Sequence, residues 1–217
     1  MALYPSHARV RRQFRPALAV LAAAVAVALA GCGGGGSTGT TTTSTGPKET
    51  AQKLPKLPPG WKPHRDRNIG YAIGLPPQWH AGGNRRSVLI RPPDHLVAVT
   101  LTADRDPGTF AIPVEKFATQ ALGGLPGFKV PLNPGKPKPF KGTPLEAVQA
   151  SASGSQAGGL KENATLVVLR RDHLVNYAVA VLENGKQVGA ALDRAVALRM
   201  VQTLRDVPPK ESGGAGG

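Results

Sequence analysis

A chain of 217 residues with 27 lysines and arginines against 13 aspartates and glutamates carries a formal charge of +14. Such an excess sets long-range attraction to anionic partners and says nothing about fold. Aromatic residues make up only 5%, too few for an array of base-stacking platforms, which argues against nucleic acid as a partner. One cysteine permits no disulfide within the chain, so any folded part must be held by its core alone.

The first segment is basic, with Arg9, Arg11, Arg12 and Arg15, and runs into an uncharged apolar stretch of about 14 residues over 17–30. That stretch is shorter than the roughly 20 residues a helix needs to span a bilayer. It closes in Leu29-Ala30-Gly31, directly before Cys32. A basic n-region, an apolar h-region and a small-residue cleavage site form the layout of an export signal. The segment resembles a bacterial lipoprotein signal peptide, whose Leu-Ala-Gly-Cys lipobox ends in the cysteine that is lipidated. The resemblance implies removal of residues 1–31, a thioether-linked diacylglycerol on Cys32, and a mature chain anchored on the extracytoplasmic face of the cell membrane. The removed segment takes four arginines and no acid with it, so the formal charge falls to +10. Arg11-Arg12-Gln13-Phe14 also looks like a twin-arginine export motif, with the Sec route as the plain alternative.

Residues 32–59 are dominated by Gly, Ser, Thr, Pro and Lys, including the runs 33–36 and 40–43. This composition cannot bury enough surface to offset its chain entropy. The segment is therefore expected to be a disordered tether, about 28 residues with an end-to-end distance of roughly 30 Å. The tail 209–217, rich in glycine, is expected to be disordered as well.

A single folded domain is expected over 60–208, a length that hides well over half of its unfolded surface. Residues 71–75 alternate large and small and stop at Pro76-Pro77, which predicts a strand. Two more are predicted over 87–91 and 96–103, turned at Pro92-Pro93-Asp94. In 113–122, Val114, Phe117, Ala118, Ala121 and Leu122 follow helical spacing, with Pro113 suited to the first turn and Gly123-Gly124 to the end. A short strand is predicted over 128–132, a Pro/Lys loop over 133–142 and a strand over 144–153. A hairpin follows over 164–169 and 174–182, turned at Arg170-Arg171-Asp172-His173. Leu166 and Val168 share one face and Val167 and Leu169 the other, so this hairpin needs cover on both sides. The longest helix is predicted over 188–204, with Ala191, Leu192, Ala195, Val196 and Met200 toward the core. Strands joined by short turns and segregated helices make this an α+β fold with a mainly antiparallel sheet.

Gly70-Tyr71-Ala72-Ile73-Gly74-Leu75-Pro76-Pro77-Gln78-Trp79 resembles the first strand of PsbP-like domains, and Val201-Gln202-Thr203-Leu204-Arg205 is similar to the end of their final helix. The resemblance covers most of 65–206 and implies an α/β/α sandwich. Its motifs are structural and carry no catalytic residues. Members of that family act as extrinsic assembly or binding subunits.

Chemistry-bearing residues are sparse. His64, His80, His95 and His173 show no His-x-x-x-His spacing, so neither a metal nor another cofactor is expected. Gly154-Ser155-Gln156-Ala157-Gly158 misses Gly-x-Ser-x-Gly by one place and follows a strand as a glycine-rich turn. The carboxylates are scattered beside basic residues, with no pair that suggests general acid–base work. What remains is a basic surface: Arg85 and Arg86, Arg170 and Arg171 at strand edges, and Lys136, Lys138 and Lys141 in one loop. Together these readings predict a non-enzymatic, lipid-anchored envelope protein that binds or scaffolds. Its expected partners are the membrane through Cys32, and anionic lipid, wall polymer or another envelope protein. Two alternatives are a hydrolase assembled from separate strands and a carrier of a hydrophobic small molecule.

Overall fold

The short alternating apolar runs of the sequence pair into one large antiparallel sheet and one small one. The computed structural model describes residues 52–208 except 157, 158, 160, 185, 186 and 188. The signal segment, Cys32, residues 33–51 and the tail from 209 lie outside the described residues. In chain order the elements are β1 (Lys62–Asp66), β2 (Tyr71–Leu75), β3 (His80–Gly83), β4 (Ser87–Arg91), β5 (Val97–Asp104), α1 (Pro107–Phe110) and α2 (Val114–Gly123). They continue with β6 (Lys138–Pro139), β7 (Glu146–Ser155), β8 (Lys161–Arg171), β9 (Val175–Asn184), α3 (Ala190–Gln202) and β10 (Arg205–Asp206). The large sheet has the order β3-β4-β5-β9-β8-β7-β6, and the small one β1-β2-β10. Every pairing is antiparallel.

β8 explains the layering. Strand side chains alternate between faces, and β8 is apolar on both. Leu166 and Val168 meet Val114, Ala118 and Leu122 of α2, together with Val148 and Ala150 of β7. Val167 and Leu169 meet Ala197, Met200 and Val201 of α3, with Tyr71 and Ile73 of β2. The sheet is thus covered by α2 on one face and by α3 with the small sheet on the other. The fold is α+β, mainly antiparallel and helix-covered, as the sequence predicts. β5 behaves differently: Val97, Val99 and Leu101 are buried, whereas Ala98, Thr100 and Thr102 are only half-buried. On the α2 face, that helix packs over β7, β8 and β9. The side of β4 and β5 that carries Leu89 and Thr100 has no described helix over it.

Several boundaries differ from the sequence reading for local reasons. The expected strand over 128–132 reduces to a single bridge between Phe128 and Gln156. Pro131 offers no N–H to a ladder, and Leu132 turns inward into the α2 core. Part of the loop expected over 133–142 pairs as β6. β1, β3 and β10 are too short or too polar to show an apolar alternation. Within the segment expected as tether, Gln52 N–H donates to Asp206 O at 3.0 Å, and Leu57 is close enough to Gly74 to fill the space of a Cβ there. Residues 52–59 therefore lie along the domain, because Leu54, Leu57 and the prolines bring apolar surface that the purely polar stretch before them lacks.

One glycine is fixed by contact. A Cβ on Gly83 would lie 2.2 Å from Ser87 O and 2.8 Å from Val88 Cα, both backbone atoms of the same hairpin. Gly83→Ala is expected to cost about 1–3 kcal/mol and to be read as a lower denaturant midpoint at unchanged slope. An unchanged midpoint would mean that the β3–β4 turn absorbs the methyl group.

Candidate functional site

The end of α3 is pinned to β2 by Thr203, whose Oγ1 donates to Met200 O at 2.7 Å and accepts from Gly74 N–H at 2.8 Å. The chain then turns into β10 and delivers Asp206, fully buried, to one end of the large sheet. Tyr177 Oη lies 2.5 Å from Asp206 Oδ1 and is also in contact with Gly70 O; its one hydrogen serves one of the two at a time. Arg171 pairs with Asp206 Oδ2, and Arg105 Nη2 lies 3.4 Å from Oδ1. A buried carboxylate needs such partners, since its desolvation is otherwise uncompensated.

Arg170 and Arg171, adjacent in sequence, diverge because a strand sends neighbours to opposite faces. Arg170 Nε donates to Asn176 Oδ1 at 2.7 Å, and its Nη2 lies 3.4 Å from Thr109 O. Asn176 Nδ2 donates to Thr109 Oγ1 at 3.0 Å. Arg170 is buried and Arg171 half-buried, so this pair is not the open edge patch expected of it. Arg85 and Arg86 are exposed in the β3–β4 turn, which Asn84 Oδ1 holds by accepting from Arg86 N–H at 2.8 Å and Ser87 N–H at 3.0 Å. Lys136, Lys138 and Lys141 are exposed around β6, at the opposite edge of the sheet. Six strand spacings separate the two edges, about 29 Å. The predicted basic residues do not form one compact patch.

Beside β3 and β4 the surface is hollowed into a cleft of about 650 Å³, lined by His80, Leu89, Arg91, Pro92, Pro93 and His95 among others. His80 and Arg91 are cross-strand partners, and His95 holds a left-handed backbone at φ 60° in the following turn. No aspartate or glutamate is among the residues lining this cleft. A second hollow of about 390 Å³ adjoins it through Ala81 to Asn84 and includes His64, Asp66 and Arg85. His64 and His80 thus border neighbouring hollows. Among the described residues no group of three His, Cys, Asp or Glu is placed to hold a metal ion.

For the other shifted acids burial is the first cause of the shift. The buried Tyr71 hydroxyl has no hydrogen-bond partner among the described residues, and burial, then the nearby Asp66 charge, pushes its pKa up. Burial raises the Glu162 carboxyl, with a hydrogen bond from Gln156 acting against it. Asp193, in the first turn of α3, is raised by burial and then by the facing Asp94 carboxylate. The sequence reading missed Arg91, His80 and His95 as a group, and Arg105, Tyr177 and Asp206 as another. The second depends wholly on strand register; the first was signalled by Arg91 closing a strand immediately before a proline turn.

No protein-family model matches the chain, and no curated protein matches it. Among solved structures it is similar to one from Bacteroides thetaiotaomicron, at 13% identity and a TM-score of 0.48 over 70% of this chain. The chain spans only 50% of that protein's length. LpqN of Mycobacterium tuberculosis, described as involved in cell envelope biogenesis, is similar at 18% identity and a TM-score of 0.43, over 69% of this chain and 91% of LpqN. The cyanobacterial PsbP of Synechocystis is similar at 9% identity and a TM-score of 0.42, over 71% of this chain and 98% of its own. All three scores lie below 0.5, so the architecture rests on the pairing and packing described above.

Proposed function

We propose that the chain is a lipid-anchored envelope protein, exported and held at Cys32. In this reading its domain is a non-catalytic binding module for an anionic component of the envelope. The anchor rests on Leu29-Ala30-Gly31-Cys32 and on the use of the only cysteine at that position. The binding role rests on one observation: the cleft beside β3 and β4 joins a guanidinium and two imidazoles to apolar lining from Leu89, Pro92 and Pro93, with no carboxylate in its lining. Such a lining favours a phosphate or carboxylate carried on a less polar body, because a charged hydrogen bond contributes about 1.5–3 kcal/mol and Arg takes these groups bidentately. Where the fold gathers charge elsewhere, around Asp206 and Asn176, the side chains are occupied with one another.

Arg91→Ala is expected to weaken binding of the intact lipidated chain to anionic wall polymer by about 10-fold or more, with a shallower salt dependence. Binding that survives both the substitution and high salt would sink the cleft as the site and point to a protein partner instead.

A further inference from the structure

The two ends of the large sheet differ in charge. At one end lie the β3–β4 turn, the end of β5, the β8–β9 turn and the start of β7, brought level by the register Ser87 with Thr102, Asp104 with Asn176, and Glu146 with Arg170. Exposed Arg67, Arg85, Arg86 and Lys141 sit at this end, with Lys53 beside Gln52. The exposed acids there are Asp106, Glu146 and Asp172. Asp66, Asp104 and Asp106 accept backbone N–H groups of their own turns, and Asp206 is buried between arginines. Among the described residues at the far end, the cations Arg91, Lys129, Lys161 and Arg194 stand with as many acids, Asp94, Glu162, Glu183 and Asp193, and Arg194 pairs with Glu183 at 3.1 Å.

Two further observations mark the basic end. The chain coming from Cys32 joins the domain there, since Gln52 is hydrogen-bonded to Asp206 in both directions, N–H to O at 3.0 Å and Asp206 N–H to Gln52 Oε1 at 3.3 Å. Leu174 projects from the β8–β9 turn at the same end, 40% exposed between His173 and the strand. Twenty peptide steps separate Cys32 from Gln52, which reach no further than about 70 Å even when fully extended.

We propose that this end of the sheet docks on the anionic lipid surface of the membrane that carries the anchor, with Leu174 at the headgroup level. The inference rests on the anchoring reading above. A planar bilayer is the occupant because the cations are spread across the sheet, about 29 Å from edge to edge, too wide for one small ligand yet level at the strand ends. Each basic residue near such a surface attracts it independently, and the effect fades within a Debye length. The cleft runs along the β3–β4 hairpin, from Asn84 and Ser87 beside the docked end to His80, Arg91 and His95 at the other. Docked this way, those three side chains lie roughly 17 Å along β4 from the Arg85-Arg86 turn, on the side away from the membrane.

The test uses the intact lipidated chain in vesicles of phosphatidylcholine, with or without phosphatidylglycerol. Leu174→Cys, or Leu192→Cys at the far end, carries an environment-sensitive fluorophore; with Cys32 in thioether linkage, the introduced thiol is the sole free one. Flotation with neutral vesicles reports the anchor and emission reports docking, so the two fail separately. The expected result is a blue shift at position 174 with phosphatidylglycerol only, reversed by high salt, and none at 192. Replacing Arg85 and Arg86 together by serine should lower the docked-to-free ratio roughly 25-fold. Equal emission at 174 in both vesicle types, equal shifts at 174 and 192, or an unchanged ratio in the double-serine chain would overturn the proposal.

Discussion

Replacing Asp206 by alanine is expected to destabilise the domain by about 3 kcal/mol, the low end of the cost of breaking a buried ion pair. The carboxylate is wholly buried and joins four segments: β10 itself, Arg105 after β5, Arg171 at the end of β8 and Tyr177 in β9. Removing it leaves two guanidinium groups facing each other across the space it occupied. Arg105 and Arg171 are 30% and 16% exposed, so both retain some access to water, which is why the low end applies. Tyr177 retains Gly70 O as an acceptor and adds little to the loss. In a domain of this size the midpoint of thermal unfolding should fall by about 6–12 °C. Asp206→Asn retains the volume and one acceptor oxygen and should lie between the two. A fall of less than about 1 kcal/mol for alanine would mean that the arginines find other partners and that the cluster is not what closes this end of the sheet.

The elements that emerge from sequence are those whose local signal and tertiary role agree. Residues 71–75 and 87–91 are strands with the predicted bounds. The turn chemistry of Pro113 and Gly123-Gly124 brackets α2 to within a residue. The continuous apolar run in β8 announces cover on both faces, which α2 and α3 supply. β1, β3 and β10 escape notice because they are held by their partners' ladders rather than by their own side chains; β3 reads His-Ala-Gly-Gly, with no strand former in it. α1 is a single turn capped by Asp106, which accepts from Gly108 N–H at 2.9 Å, too brief for any period to register.

The site is harder to read than the fold. The predicted Arg170–Arg171 pair is split by strand alternation, a consequence that follows once both residues are placed in β8 rather than in its turn. The alternation Val97, Ala98, Val99, Thr100, Leu101, Thr102 carries a legible signal of its own, because it predicts a sheet face left open beside the cleft. Asp206 could not have been found this way. Its side-chain partners are 29 to 101 residues distant in sequence; the registers of β5, β9 and β8 bring those partners level, and the pairing of β10 with β2 sets Asp206 among them. The described domain therefore divides its charge by position: pairs that close the sheet lie inside its end, and unpaired basic turns lie around them.

Cys32→Ala is the substitution with the largest expected effect on where the protein resides. One acyl chain gives only marginal, reversible membrane binding, with an association constant of about 10⁴ M⁻¹, whereas two chains anchor stably. The diacylglycerol proposed on Cys32 would supply two, and alanine, lacking a thiol, would supply none. What then remains to hold the chain at a membrane is the attraction of its basic surface, which high salt screens, and any apolar signal segment left uncleaved. Membranes washed in high salt should therefore retain the wild-type chain and release most of the variant. Intact-mass measurement should find a diacylglyceryl addition on a wild-type chain beginning at Cys32 and none on the variant. The mass decides between two ways of remaining bound. A variant retained in high salt with residues 1–31 still attached would be held by its signal segment. A wild-type chain that carries no lipid yet stays bound would remove the anchor, and with it the reason for assigning the basic end to the membrane side.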